Sequence, residues 1–298
     1  MNRVTSVATV RRSLSDLMAA NSALVDAQAR ASSQKQLQRA SDGPAQALAA
    51  LEHRGVLRRS AQQQRNASDA RSWLSSADTA LASSVDELTR VRTLVSGARS
   101  GASDPNARKA VADEIRTIRT AMLSLANTEH LGRPIFAGTA STDAAFAADG
   151  TYQGDGGVVR RPIAPAVDVQ VNRSGTSVFG TQTATPMDGN VFQVLEALAT
   201  AVEAGDDAAM ATGITRVDTA IDRVESAQVE LGARARQVDD VVARSETADL
   251  DRRQALSELE DVDIAEAILD LKAREVGYQV ALSATAQVSK LSLLDFLR

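Results

Sequence analysis

Apolar residues recur every three or four positions through most of the chain, the spacing that seats one helix against another along a narrow seam. Near the start the seam runs Val7, Val10, Leu14, Leu17, Asn21, Leu24, Gln28 and Ala31, predicting a long first helix. Asn21 and Gln28 fall inside it, and polar seam residues of this kind fix register at some cost in stability. Ser41-Asp42-Gly43-Pro44 follows. Ser41 or Asp42 is placed to cap a new helix, and Pro44 is accommodated in its first turn. That second helix is expected from Ala45 to about Arg99, with a seam at Leu74, Ala77, Leu81, Ser84, Leu88, Val91 and Val95. Asp104-Pro105 opens a third, which places Val111, Ile115, Ile118, Met122 and Leu125 on one face and should end near His130-Leu131-Gly132.

The pattern then changes. Between Arg133 and Gly189 lie four of the six prolines, many glycines, and strand-like alternation over Ala166-Val167-Asp168-Val169-Gln170-Val171. Five of the eight aromatics (Phe136, Phe146, Tyr152, Phe179, Phe192) fall in or beside this stretch, which reads as a small β-rich insert with its own core. Gln153-Gly154-Asp155-Gly156-Gly157 reads as a hairpin turn within it. Helix returns over about Asn190 to Glu203. A very long helix follows, with its seam at Ile214, Val217, Ile221, Val224, Gln228, Leu231, Ala235, Val238 and Val242. The pattern restarts near Asp263, which with Glu266 forms a capping-box arrangement. The last helix carries Ile264, Ile268, Leu271, Tyr278, Leu282 and Thr285, and ends in an apolar tail of Leu291, Leu293, Leu294, Phe296 and Leu297.

These elements predict a mainly α fold: a long antiparallel helical rod or coiled coil formed by both chain ends, with a small β-rich inserted domain. Residues 1–44 and 262–298 are expected to be terminal assembly helices, 45–132 and 190–261 the helical rod, and 133–189 an outward-facing insert. The candidate assembly interface is Val7, Val10, Leu14, Leu17, Asn21 and Leu24 with Ile264, Ile268, Leu271, Tyr278 and Leu282. The tail, Leu291, Leu293, Leu294, Phe296 and Leu297, would be an aggregation liability if left bare, so it should contact a chaperone or a neighbouring subunit.

Composition sharpens this picture. The 298 residues are 44% hydrophobic but only 3% aromatic, too few large rings for one thick core. There is no cysteine, so no disulfide or thiolate metal site is possible. With a net charge of −5, a nucleic-acid footprint is not expected. Residues 1–65 hold 10 Lys/Arg against 4 Asp/Glu, whereas residues 214–298 hold 11 against 17, so the two ends are electrostatic complements. No stretch is long and apolar enough for a membrane span, and the N-terminus lacks the pattern of a cleaved secretory signal.

Candidate chemistry is thin. His53 sits in a charged helical stretch, and His130 at an expected helix end favours a capping role over general-base work. The glycine run at 154–157 lacks the Lys-Ser/Thr of a phosphate loop, and the acidic group at 258–266 lacks the central glycine and spacing of a calcium loop. Asn66-Ala67-Ser68 and Asn172-Arg173-Ser174 match the glycosylation triplet, which is frequent by chance. No catalytic residue, cofactor or metal ligand is assigned.

Two segments resemble a known family. Ala31-Ser32-Ser33-Gln34-Lys35-Gln36-Leu37-Gln38-Arg39-Ala40-Ser41-Asp42-Gly43-Pro44 and the C-terminal stretch from Val262-Asp263-Ile264-Ala265-Glu266-Ala267 to Leu297 are similar to the terminal signatures of the bacterial flagellin superfamily. Within it, Leu125-Ala126-Asn127-Thr128-Glu129-His130-Leu131-Gly132-Arg133-Pro134-Ile135-Phe136-Ala137-Gly138-Thr139 and Tyr152-Gln153-Gly154-Asp155-Gly156 resemble the branch that joins hook to filament more than the filament subunit. The chain departs at Gln34, where the family usually has glycine, and at Gly43, where it usually has a second acidic residue. The resemblance implies a structural, non-enzymatic subunit of the extracellular flagellum that self-assembles in a ring through its terminal helices. The partners it implies are a hook-side junction protein, flagellin, an export chaperone and the type III export apparatus that passes it uncleaved from the cytoplasm. A filament monomer is the alternative within the family; a soluble coiled-coil adaptor or signalling protein is the alternative outside it.

Overall fold

A computed structural model describes residues 2–100 and 104–296, with side chains described at residue 8 and over 11–287 apart from that gap. In chain order the elements are helices α1 (Asn2–Ser33), α2 (Pro44–Ser100) and α3 (Pro105–Ala126), strands β1 (Glu129–His130), β2 (Arg133–Pro134), β3 (Arg160–Ala164) and β4 (Val167–Gln170), then helices α4 (Gly175–Phe179), α5 (Val191–Ala204), α6 (Asp207–Glu260) and α7 (Ile264–Phe296), with a 3-10 turn at Pro186–Asp188. The fold is mainly α, as the apolar spacing predicts. The chain forms two compact units: residues 59–247, and residues 1–58 with 248–298.

The 59–247 unit holds a large core. The predicted seam of α2 is buried from Leu74 to Val95, as are Ile115, Ile118 and Met122 of α3 and Val217, Val224, Leu231 and Val238 of α6. Each large aliphatic withdrawn from water in this way contributes about 1.5–3 kcal/mol. Ser84, inside the α2 seam, is tolerated because its hydroxyl donates to the Ala80 carbonyl at 2.7 Å. Across the exposed edges, Arg71 pairs with Asp239, Arg92 with Asp218 and Arg99 with Asp207, so α2 and α6 run antiparallel here. Arg116 of α3 reaches both Glu196 and Glu203 of α5, at 3.3 and 2.9 Å.

The middle of the chain departs from expectation in three ways. First, α3 stops at Ala126 instead of running on to Gly132. Asn127 takes the C-cap, and its side-chain amide clamps residue 146, donating to the Phe146 carbonyl and accepting from the Phe146 N–H, both at 2.8 Å. The chain then turns through the β1–β2 hairpin, with His130 opposite Arg133 and both turn residues, Leu131 and Gly132, at positive φ. His130 is therefore a strand residue, not a helix cap. Its Nε2 lies 3.2 Å from Asp69, and its ring meets the edge of buried Trp73.

Second, Gln153 to Gly157 is not a hairpin turn. The Asp155 carboxylate accepts from the Thr139 N–H at 2.6 Å, the Thr139 hydroxyl at 2.7 Å and the Gly157 N–H at 2.9 Å. These donors hold its pKa below the usual carboxylate range. The hairpin of this region is β3–β4, closed around Ala166 at φ 59°.

Third, the β-rich stretch has no core of its own. Phe136, Phe146 and Phe179 interlock with Phe192 of α5, with ring centroids 5.0–5.9 Å apart, and belong to the same buried cluster as the helices. Two two-stranded sheets are too small to bury four such rings between them.

Candidate assembly surface on the terminal helices

In the other unit, α1 and α7 pack antiparallel. Arg30 faces Asp270 at 3.8 Å, and the Thr285 hydroxyl lies 3.4 Å from the Ser13 carbonyl. The opposed charge of the two chain ends is used where they meet. On α1 the sheltered face runs Ser13, Leu17, Ala20, Leu24, Ala27 and Ala31; on α7 it includes Ala267, Leu271, Tyr278 and Ala281. Only Ala27 and Ala267 are fully buried along it among the described residues. Small residues let the two backbones approach, while the larger side chains of this face stay only half-buried.

This placement sorts the candidate interface residues. Leu17, Leu24, Leu271 and Tyr278 are half-buried and face the partner helix. Leu14, Ile264, Ile268 and Leu282 are exposed by about half, and Met18 and Leu269 are more open still at 64% and 71%. Asn21 and Gln28 are exposed and leave the seam to Ala20 and Ala27, one position earlier. An amide on this face would be stripped of water without gaining a partner, whereas a methyl group fits. The side chains of Val7, Val10, Leu291, Leu293, Leu294 and Phe296, and the whole of Leu297, lie outside the described residues.

The base of the α1–α7 pair is closed by a clasp absent from the sequence reading. Backbone N–H groups of Gln36 and Val262 donate to the carbonyls of Glu260 and Gln34, at 2.7 and 3.2 Å. Lys35 Nζ donates to Asp261 at 2.5 Å and to Glu260 at 3.4 Å. The hydrogen bond to Asp261 raises the Lys35 pKa, and the same bond lowers that of Asp261. Arg54 grips the buried Glu260 carboxylate through Nη2 and Nε, both at 2.8 Å. Gln34 sits at φ 57°, a left-handed position that glycine occupies without strain. Asp42 is not the cap of α2: its carboxylate turns back to accept from the N–H groups of Gln38 and Arg39, at 3.1 and 2.8 Å, and folds the connecting loop on itself. Asp263 does serve the start of α7, accepting from the Ala265 N–H at 2.8 Å.

The two internal motifs of the 59–247 unit meet. The Tyr152 hydroxyl lies 2.9 Å from the Phe136 carbonyl and 2.7 Å from that of Asp155, and the Asp155 N–H donates to Ala137 at 2.9 Å. Residues 136–139 and 152–157 are thus one stitched structure. Among the described residues, no group of three His, Asp or Glu side chains could hold a metal ion, and no helix is long and apolar enough to cross a membrane.

Comparison with known proteins agrees with the placement of these elements. The family model for the bacterial flagellin N-terminal helical region matches residues 6–141, and that for the C-terminal helical region matches residues 214–297. The chain belongs to the bacterial flagellin family. Among flagellin-family proteins, it is 24% identical over 218 residues to flagellar hook-associated protein 3 of Escherichia coli K12, covering 66% of this chain and 69% of that one. A structure described as a putative flagellar hook-associated protein from Vibrio parahaemolyticus shares the fold at a TM-score of 0.67 and 21% identity, covering 74% of this chain and 100% of that one. Flagellar hook-associated protein 3 from Legionella pneumophila does so at 0.61 and 16%, covering 70% and 98%. Xanthomonas campestris FlgL does so at 0.60 and 18%, covering 68% and 99%. In flagellin-family terms the terminal matches contain α1 and α7, the helices whose apolar stripes stand open.

Proposed function

We propose that this chain is a structural subunit of the bacterial flagellum that joins hook to filament, assembling in a ring through α1 and α7. The observation that carries the reading is the open aliphatic stripe on both terminal helices. Leu14, Met18, Ile268, Leu269 and Leu282 are too many apolar side chains to leave in water on two adjacent helices unless another surface covers them. The match to flagellin terminal helical regions, and a relative named flagellar hook-associated protein 3, support neighbouring flagellar subunits as the covering surface. The work is packing, and no catalytic step is assigned.

The junction reading, as against the filament reading, is supported by the stitched pair of motifs at 136–139 and 152–157. The finer partners follow from it: flagellin on one side, a hook-side junction protein on the other, and before assembly an export chaperone and the type III apparatus. The apolar tail at 291–297 is the natural chaperone segment. In this reading residues 1–44 and 262–298 assemble, while 133–189 faces outward.

Deleting the gene tests this. Intact hooks with flagellin lost to the medium, seen by electron microscopy and secretion assay, are the expected outcome. Normal filaments on swimming cells would remove the junction role.

A further inference from the structure

We propose that Leu131, at the tip of the β1–β2 hairpin, is a knob that seats in a small pocket of aliphatic and charged side chains near the start of α2 on a second copy of this chain. The inference rests on the assembly reading above and adds a contact away from the terminal-helix stripes.

Leu131 is doubly misplaced in a lone chain. It is 85% exposed, the most open of the large aliphatics among the described residues. It also occupies the first of two positive-φ positions in a two-residue turn, at φ 50° before Gly132 at φ 74°. Turns of this hand favour Asn, Asp or Gly there, because a branched aliphatic is strained in the left-handed region. Strain and exposure together at one residue point to a role outside the subunit's own fold.

A matching recess lies on the same chain. Leu37, Ala40, Ala47, Ala50 and Leu51 form the aliphatic part of a pocket of about 170 Å³, whose remaining lining is polar and includes Gln38 and Glu260. A space of about 150 Å³ holds a benzene-sized group, so the four-carbon leucine side chain fits by size, against the aliphatic side of the pocket. The charges also correspond. Glu129 stands two residues before the knob, exposed, and Arg39, itself exposed, lines the pocket, its charge shared with the nearby Asp42 carboxylate. Arg54 at the same pocket is already engaged by Glu260. A knob and a pocket at different places on one chain make a head-to-tail contact that repeats from copy to copy, as a ring or helical assembly requires.

Two variants test the proposal in assembled flagella. Leu131→Asn suits the turn and removes the knob. The isolated protein should melt no lower than the parent, while incorporation should fall by about tenfold or more, the effect of losing one buried leucine. In this cysteine-free chain, Leu131→Cys with Ala47→Cys should give disulfide-linked multimers on oxidation of purified flagella. Glu129→Arg should weaken incorporation, and Arg39→Glu should restore it. Unlinked or only internally linked chains in flagella that contain the cysteine variant would overturn the contact, as would normal incorporation of Leu131→Asn. Absence of the unaltered chain from flagella would instead overturn the assembly reading, and this contact with it.

Discussion

The two compact units treat their apolar residues in opposite ways. Residues 59–247 bury Trp73, Phe136, Phe146, Phe179 and Phe192 completely, along with long runs of Leu, Ile and Val. In the unit made of 1–58 and 248–298, the described buried apolar residues are alanines: Ala27, Ala50 and Ala267. Among the described residues, twelve of the fifteen exposed large hydrophobics lie in that unit, so much of its apolar surface is open. One unit is stabilised by its own core. The other leaves its larger aliphatics open, and under the assembly reading its stability should depend on what binds it.

The largest expected effect comes from exchanging these roles. Phe146→Ala removes a ring that touches Tyr152, Phe179 and Phe192, and should cost about 3–5 kcal/mol, lowering the denaturation midpoint of the isolated chain. Ile268→Ser with Leu282→Ser removes comparable apolar bulk from half-exposed positions. It should leave the isolated chain's midpoint within about 1 kcal/mol of the parent, since exposed substitutions cost little, yet abolish incorporation into flagella. If the double serine variant melted as early as the phenylalanine variant, the contrast between the units would be lost.

A smaller effect is expected at the clasp. Glu260 is buried while Arg54 and Lys35 are roughly half-exposed, so solvent screens the pairing from one side. Glu260→Gln should therefore cost about 1–2 kcal/mol, less than the loss of a fully buried pair. Hydrogen exchange should locate the loss in residues 34–36 and 260–262. A loss spread through the 59–247 core would mean that the clasp supports both units.

Acid separates the units less sharply. Burial pushes the Asp69 carboxyl up, but hydrogen bonds from Arg161 and His130 more than reverse it, and Asp155 is held low by Thr139. In both cases the unfolded chain binds protons more readily than the folded one, so stability rises with pH through the acid range. Their contribution is complete above about pH 5, clear of the ordinary carboxylate range, and is lost as pH falls through the depressed folded values. Asp69→Asn should flatten that acid slope in the 59–247 unit. An unchanged slope would show that other carboxylates set it.

Much of this architecture is legible in the sequence because large residues at helical spacing have few places to go. The seams from Leu74 to Val95 and from Val217 to Val238 are buried as their spacing demands. On α1 the same reasoning slips by one position. Alanine at 20 and 27 is as apolar as a seam requires, and only the close approach of α7 decides that it outranks Asn21 and Gln28. The end of α3 was hidden for another reason: Asn127 stops the helix by binding residue 146, a partner that no local rule can see. The shared aromatic core is likewise a fact of three dimensions, since Phe192 lies beyond the β-rich stretch whose rings it joins. The glycine expected at Gln34 was the one local clue to a strained backbone.

That position gives the smallest test. Gln34 follows the last residue of α1 and carries φ 57°, while its carbonyl accepts from the Val262 N–H in the clasp. A side chain in the left-handed region costs about 1–2 kcal/mol. Gln34→Gly removes that strain, but glycine also gains freedom in the unfolded chain, which returns about 0.4–1 kcal/mol. The net stabilisation should be about 0.5–1 kcal/mol. It should appear in the 1–58 and 248–298 unit alone, as slower amide exchange at Gln36 and Val262 with an unaltered core. Faster exchange at those two amides would mean that the glutamine side chain itself supports the clasp, and that its departure from glycine is a stabilising choice.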